Sequence, residues 1–284
     1  MIPRPFRYHR AETLDEALKA LQDHPDTKVL SGGHSLLPMM KLRVASPAGL
    51  VDIGRIVELQ SVSAQSDSIA IGAATTYARV LEDSRLSELM PILHQAVSVI
   101  ADPQVRYRGT VGGSAVHADP ASDLSAVFLA CGVSFVVKGP RGERIIPVDE
   151  WYLAPLVSAL APDEILERIV FPRPLPGRQT YLKFPHPASG YPLAGVAVLL
   201  DVDDTMRVRE VRIAVSGAGV LPFRALSAEA CLKGEKVSSE RIQEAVSRGL
   251  DDGEYTDDVQ YSAAYRRHLA GVMIERALIR ALDE

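Results

Sequence analysis

Ser31-Gly32-Gly33-His34-Ser35-Leu36 and Gly109-Thr110-Val111-Gly112-Gly113-Ser114 are the two stretches on which the reading of this chain turns. Each pairs glycines with hydroxyl side chains. Glycine lacks a Cβ, so it reaches φ > 0 at low cost and lets a ligand approach the main chain, while Ser31, Ser35, Thr110 and Ser114 add donors. Bare backbone N–H groups in such turns suit an anion, and two turns suggest two phosphates. Neither stretch reads G-x-G-x-x-G, and neither carries the lysine of G-x-x-x-x-G-K-[ST], so a Rossmann or P-loop reading has little support. Taken singly, each is equally a tight turn between strands.

Outward from these turns, 284 residues point to two or three folded units with sizeable cores. A hydrophobic share of 47% with 24% charged residues is that of an ordinary globular protein, and a formal charge of −5 argues against nucleic acid as a partner. The densest basic cluster, Arg106 with Arg108, lies just before the second turn. Cys131 and Cys231 are expected as reduced, buried or half-buried thiols of a cytoplasmic protein, and two cysteines cannot ligate a four-cysteine iron–sulfur cluster. No H-x-x-x-H or H-E-x-x-H pair occurs among the seven histidines, so no metal site is expected. Met1 to Phe6 lacks the apolar core of a signal peptide, and no stretch is apolar enough for a transmembrane segment.

The pattern between these landmarks predicts an α+β chain. Thr13 and Glu16 form a capping box for a helix with Leu14, Ala17, Leu18 and Leu21 on one face, stopped at His24-Pro25. Strands are expected at 28–30, 50–53, 69–73, 133–137, 144–148 and 165–171, and helices from Thr75-Thr76 to Leu81, over 87–100 and over 124–130. Pro172, Pro174, Pro176 and Gly177 mark a domain boundary. Beyond it, 180–184, 195–201 and 207–215 read as an antiparallel sheet, followed by helices at 225–231, 240–250 and 263–282.

The run from Ser31 through Met40 to Arg43, followed by Arg108-Gly-Thr-Val-Gly-Gly-Ser114 and Ala118-Asp-Pro-Ala-Ser-Asp123, resembles the medium, FAD-binding subunit of the molybdenum hydroxylases. That family includes aerobic carbon monoxide dehydrogenase and xanthine dehydrogenase. The resemblance runs nearly end to end. It implies a two-subdomain FAD-binding fold of the PCMH/VAO type over 1–174, with subdomains of about 1–54 and 55–174, and a C-terminal antiparallel sheet with helices over 177–284.

By the same resemblance, Ser31 to Leu36 and Gly109 to Gly113 (Gly109, Thr110, Val111, Gly112, Gly113) would hold the FAD pyrophosphate through backbone N–H groups. Ala118, Asp119 and Asp123 would also bind the cofactor, Asp123 bonding a ribitol or ribose hydroxyl, with a cap on the helix before Leu124 as its plain reading; the two can coexist. Ile100 and Ala101 would line the adenosine or flavin side. Lys183 would donate to the electron-rich edge of the flavin and Tyr191 would stack beside the ring; on their own these read as a solvent-facing strand lysine and a core tyrosine. His34 would bond the phosphate or the loop, with FAD held non-covalently. Such a chain transfers electrons without attacking the substrate. A large molybdopterin-binding subunit and a small iron–sulfur subunit would be its partners, in a dimer of heterotrimers. A stand-alone FAD-dependent oxidase and a non-enzymatic nucleotide-binding module are the other readings. His117, Asp119 and Asp123 make no hydrolytic trio, because no G-x-S-x-G elbow occurs.

Overall fold

A computed structural model describes residues 2–283. Its first layer is a parallel sheet of order β1-β3-β2, made by β1 (Arg7–Arg10), β2 (Thr27–Leu30) and β3 (Gly49–Asp52), with helices α1 (Leu14–Asp23) and α2 (Leu36–Lys41) in the connections. α1 starts where the sequence places it. Thr13 Oγ1 accepts from Glu16 N–H at 3.2 Å, while the Glu16 carboxylate reaches one residue past its own cap and accepts from Glu12 N–H at 2.8 Å. Leu14, Ala17, Leu18 and Leu21 are buried as the helical spacing requires. β1 and α2 were not expected. All four β1 residues are exposed, so no period-2 alternation betrays the strand, and α2 is a six-residue helix containing Pro38.

An antiparallel sheet of order β4-β5-β10-β6-β7 forms the second layer: β4 (Val62–Ala64), β5 (Ser68–Gly72), β6 (Ser134–Gly139), β7 (Gly142–Pro147) and β10 (Ile165–Pro172), with the small hairpin β8 (Tyr152–Ala154) and β9 (Val157–Ser158) before β10. Between β5 and β6 run six helices: α3 (Tyr77–Glu82), α4 (Ser84–Leu89), α5 (Pro91–Ser98), α6 (Pro103–Arg108), α7 (Val111–His117) and α8 (Asp123–Cys131). The single helix expected over 87–100 is two, because Pro91 has no N–H to continue α4 and instead opens α5. α6 was unexpected although its signal is plain: Asp102 Oδ1 accepts from Gln104 and Val105 N–H at 2.7 and 3.0 Å, with Pro103 at the first helical position. The second glycine turn is also a helix. Thr110 is its N-cap, and Val111 to His117 form α7.

The third layer is an antiparallel sheet of order β11-β12-β13-β14, from β11 (Arg178–Pro185), β12 (Pro192–Val202), β13 (Val208–Ser216) and β14 (Phe223–Arg224), followed by α9 (Leu226–Leu232), α10 (Ser239–Gly249) and α11 (Ala263–Asp283). β12 is buried from Pro192 to Leu200 because both of its faces are covered. Its period-2 alternation divides it between two cores. Ala194, Val196, Val198 and Leu200 pack with the α9–α11 layer, whereas Ala197 and Leu199 pack, with Tyr181 and Ala214, against the core around α8. Every residue of α8 is buried, so this helix is apolar all round beyond Ser125 and lies between the sheets. Phe128 meets Phe135 edge-on at 5.7 Å, Phe135 stacks on Trp151 at 4.0 Å, and the Trp151 indole N–H reaches Ala115 O at 2.8 Å. Cys131 and Cys231 are buried and unpaired, and burial pushes the Cys131 thiol up to about 12. Among the described residues no helix is long and apolar enough to cross a membrane.

Candidate cofactor site

The first glycine motif leaves the carboxyl end of β2, where a parallel sheet delivers its loops to one edge. Gly33 sits at φ +79°, in the left-handed region that an L side chain enters only under strain. This turn swings the next amides outward, and the N–H groups of residues 32–36 donate to no protein acceptor among the described residues. Ser35, the N-cap of α2, makes no side-chain cap bond. A row of unspent donors ending at a helix start is an anion seat.

The second motif lies against the first. Ser31 Oγ and Thr110 Oγ1 are 3.0 Å apart, and a Cβ on Gly32 would stand 2.3 Å from Arg108 O, so glycine there lets the two backbones touch. Its own amides, however, are mostly used within the protein, contrary to the expectation of two bare turns. Gly109 N–H donates to Val105 O, Val111 N–H to Thr75 O, Gly112 N–H to Ala73 O at 3.0 Å, and Gly113 N–H to Thr110 Oγ1 at 3.0 Å. Among the described residues only the Thr110 N–H of this motif is left without a protein acceptor. Gly112 serves packing: a Cβ would lie 2.4 Å from Ala73 Cβ, since α7 is pressed onto the end of β5.

Between these elements opens a cleft of about 1200 Å³, larger than the ~300–1,000 Å³ usual for small-ligand sites. Residues 31–36, Ile100, Ala101, Gly109, Thr110, Gly112, Gly113, Asp119, Asp123 and Tyr191 all face it. Val111 and Ala118 do not: both side chains are fully buried in the core, and Ala118 is the left-handed C-cap of α7 at φ +50°. Tyr77, Leu160 and Leu166 are wall residues that sequence reasoning passed over, and His117, read there as no part of a hydrolytic trio, lies on the same wall. Tyr77 and Leu166 are spaced as ordinary core positions, so only their placement beside the glycine motifs reveals them.

One end of the cleft is closed by groups from the third layer. Asp123 is the first residue of α8, and its cap is Ser122, whose Oγ accepts from Leu124 N–H at 3.3 Å; the N-cap reading of Asp123 is therefore replaced by a side chain aimed elsewhere. Tyr181 Oη donates to Asp123 Oδ1 at 2.8 Å, and Lys183 Nζ lies 3.0 Å from the same oxygen and 2.9 Å from Gly190 O. Burial pushes the Asp123 carboxyl above its usual range, opposed by the Lys183 charge and the Tyr181 hydroxyl. Lys183 is only 8% exposed, so it is not a solvent-facing lysine, and it is not among the residues that line the cleft; its ammonium is held by Asp123 and Gly190 O. Tyr191, 47% exposed, stands on the cleft wall and is not a core tyrosine.

The site thus combines an anion seat, a carboxylate with an open oxygen, and apolar walls, which fits a dinucleotide with a diphosphate, polyol hydroxyls and flat rings. Comparison with known proteins agrees. Residues 4–174 match the family model described as the FAD-binding domain in molybdopterin dehydrogenase, and residues 179–281 match the CO dehydrogenase flavoprotein C-terminal domain. The chain is 35% identical to the carbon monoxide dehydrogenase medium chain of Hydrogenophaga pseudoflava, over 98% of this chain and 97% of that one. It is 34% identical to subunit alpha of the 6-hydroxypseudooxynicotine dehydrogenase complex of Paenarthrobacter nicotinovorans, over 99% and 96%. Its structure superposes with a TM-score of 0.95 at 36% identity on a chain of the Hydrogenophaga pseudoflava carbon monoxide dehydrogenase, covering 100% of this chain and 99% of the other.

Proposed function

Because this chain belongs to the family of FAD-binding medium subunits of the molybdenum hydroxylases, we propose that it takes electrons from an iron–sulfur subunit and passes them to an external acceptor, while a molybdopterin-binding subunit acts on the substrate. It is an oxidoreductase subunit, and its cofactor is FAD. FAD supplies chemistry that protein side chains lack: it accepts electrons singly and releases them as a pair. The observation that carries the reading is the row of unspent amides at 32–36 facing, across one cleft, the buried carboxylate of Asp123.

Each residue then has a task. The amides of Gly32 to Leu36, with Ser31, Ser35 and the Thr110 N–H, hold the diphosphate, and Ser31–Thr110 contact keeps the two motifs in register. Gly112 and Gly113 serve by bringing α7 close enough for Thr110 to take part. Asp123 accepts from a ribityl or ribose hydroxyl. Ile100 and Ala101 cover the apolar flank, Tyr191 walls the ring end, and Asp119 and His34 bond at the rim. Division of labour follows the same lines, with residues 1–174 binding FAD and residues 177–284 closing the site. The two cysteines are both buried and cannot carry a cluster, so electrons reach the flavin from a partner. Substrate choice rests with the molybdenum subunit, consistent with two relatives of almost equal identity whose names carry carbon monoxide and 6-hydroxypseudooxynicotine. The working form is a cytoplasmic dimer of heterotrimers.

Purified chain should be yellow with a flavin absorption band. Substrate should bleach that band only when both partner subunits are present. Bleaching by substrate with this chain alone would identify a self-contained oxidase, and a colourless chain that takes up no FAD would end the reading.

A further inference from the structure

Asp123 meets both of its side-chain partners through one oxygen. Tyr181 Oη and Lys183 Nζ converge on Oδ1, at 2.8 and 3.0 Å, and among the described residues no other side chain donates a hydrogen bond to Oδ2, while the side chain lines the cleft. Both partners come from β11 of the third layer, whereas Asp123 opens α8 of the second. Tyr181 is itself immobile: it is 4% exposed, its backbone N–H donates to Gln95 Oε1 at 2.7 Å on α5, and its ring packs in the core around α8. Resting on the assignment of Asp123 to a cofactor hydroxyl, we propose that Tyr181 is a positioning residue for FAD: its hydroxyl pins Oδ1 so that Oδ2 is presented to the cleft as an ionised acceptor.

The physical argument has two parts. A carboxylate rotates about its last torsion with little resistance, so one fixed donor decides which oxygen a ligand meets. Burial disfavours the charged form, and a donated hydrogen bond restores it. Lys183 supplies charge, but its flexible stem and its second bond to Gly190 O leave the geometry to the rigid phenol. Other titratable groups share the region: Tyr77 from α3, Tyr191 from the loop after β11, His117 from the end of α7 and Asp119 from the α7–α8 connection all line the cleft. Their effects are common to wild type and variant and cancel in the difference.

The experiment is FAD titration of the deflavinated full chain across pH, comparing wild type with Tyr181→Phe, which keeps the ring and its packing. In wild type, FAD affinity should fall as pH drops through the Asp123 titration. Losing the Tyr181 donor raises the Asp123 pKa, so in Tyr181→Phe that fall should occur at higher pH, and affinity at pH 7 should drop about three- to tenfold. Asp123→Asn should remove the pH-dependent limb, and adding Tyr181→Phe to it should cost little more. Unchanged affinity and unchanged pH midpoint in Tyr181→Phe would overturn the proposal, as would weaker binding with the midpoint unmoved, which is the signature of a packing role. Should Asp123→Asn fail to fold, the midpoint shift of the folded Tyr181→Phe decides alone. A pH-independent wild type with full FAD affinity after Asp123→Asn would sink the Asp123 assignment beneath it, a result distinct from either.

Discussion

At Gly33 and Gly112 the same residue type does two different jobs, and substitution should separate them. Gly33 has φ +79°, so Ala there costs about 1–2 kcal/mol of local backbone strain. The turn then reorients the amides at 32–36, and Gly33→Ala should lose most bound flavin on desalting while its far-ultraviolet circular dichroism matches wild type. Gly112 has an ordinary helical φ but no room, with Ala73 Cβ 2.4 Å and Ala73 Cα 2.6 Å from where a Cβ would sit. Gly112→Val should therefore destabilise the fold itself, by about 1–3 kcal/mol or more as overpacking does, seen as a lower denaturation midpoint even without FAD. A Gly112→Val chain as stable as wild type but unable to bind FAD would reverse this assignment and restore the bare-turn reading.

Elements around the cleft are held by satisfied polar pairs and by one buried helix. At the start of β10, Glu164 is 4% exposed and accepts two bonds from Arg144, at 2.8 and 2.7 Å, plus one from Ala161 N–H at 2.9 Å. The Arg144 guanidinium holds its carboxyl below the usual range near 4.5. A lowered folded-state pKa means the stabilisation is complete above the unfolded value and is lost as pH falls below 4.5 through the folded one. Glu164→Gln should thus cost about 1–2 kcal/mol at pH 7, the half-exposed arginine keeping the figure low. Denaturation midpoints of wild type and variant should converge as the pH falls from 4.5 through the lowered folded-state value; a constant gap would show that the charge is not responsible. On α8, Phe128 is fully buried against Phe135 and Phe171, and Phe128→Ala should lower stability by about 3–5 kcal/mol in urea unfolding.

Over the whole molecule the layers are not independent. The α8 core contains Tyr181, Ala197, Leu199 and Ala214 from the third layer, and Gly217 N–H donates to Pro120 O at 2.8 Å beside the cleft. Heating should therefore give one cooperative transition in spite of two family modules, and calorimetry resolving two separate transitions would contradict a shared core. FAD should shift that single transition upward, by the equivalent of about 2.7 kcal/mol at a hundredfold excess over its dissociation constant, since it binds the folded chain and not the unfolded one.

Local chemistry was legible in the sequence alone. Periodicity and capping gave α1, α8 and α11, and the runs of β-branched residues gave β5, β6, β10, β12 and β13, because backbone preference and amphipathicity act over a few neighbouring residues; the two glycine motifs suggested phosphates, and FAD came from the family resemblance that they carry with Asp123. α2, α6 and α7 are short rather than strongly periodic, and β1 is exposed on every residue, so no periodic signal announced them. What the tertiary structure decided is which donors remain unspent and which way charges point. Gly112 gives its N–H to Ala73 and Lys183 its charge to Asp123 because α7 is packed on β5 and β11 crosses the start of α8. Hydrogen bonds between residues 39 or 60 positions apart are set by that packing, and no local pattern in the chain records them.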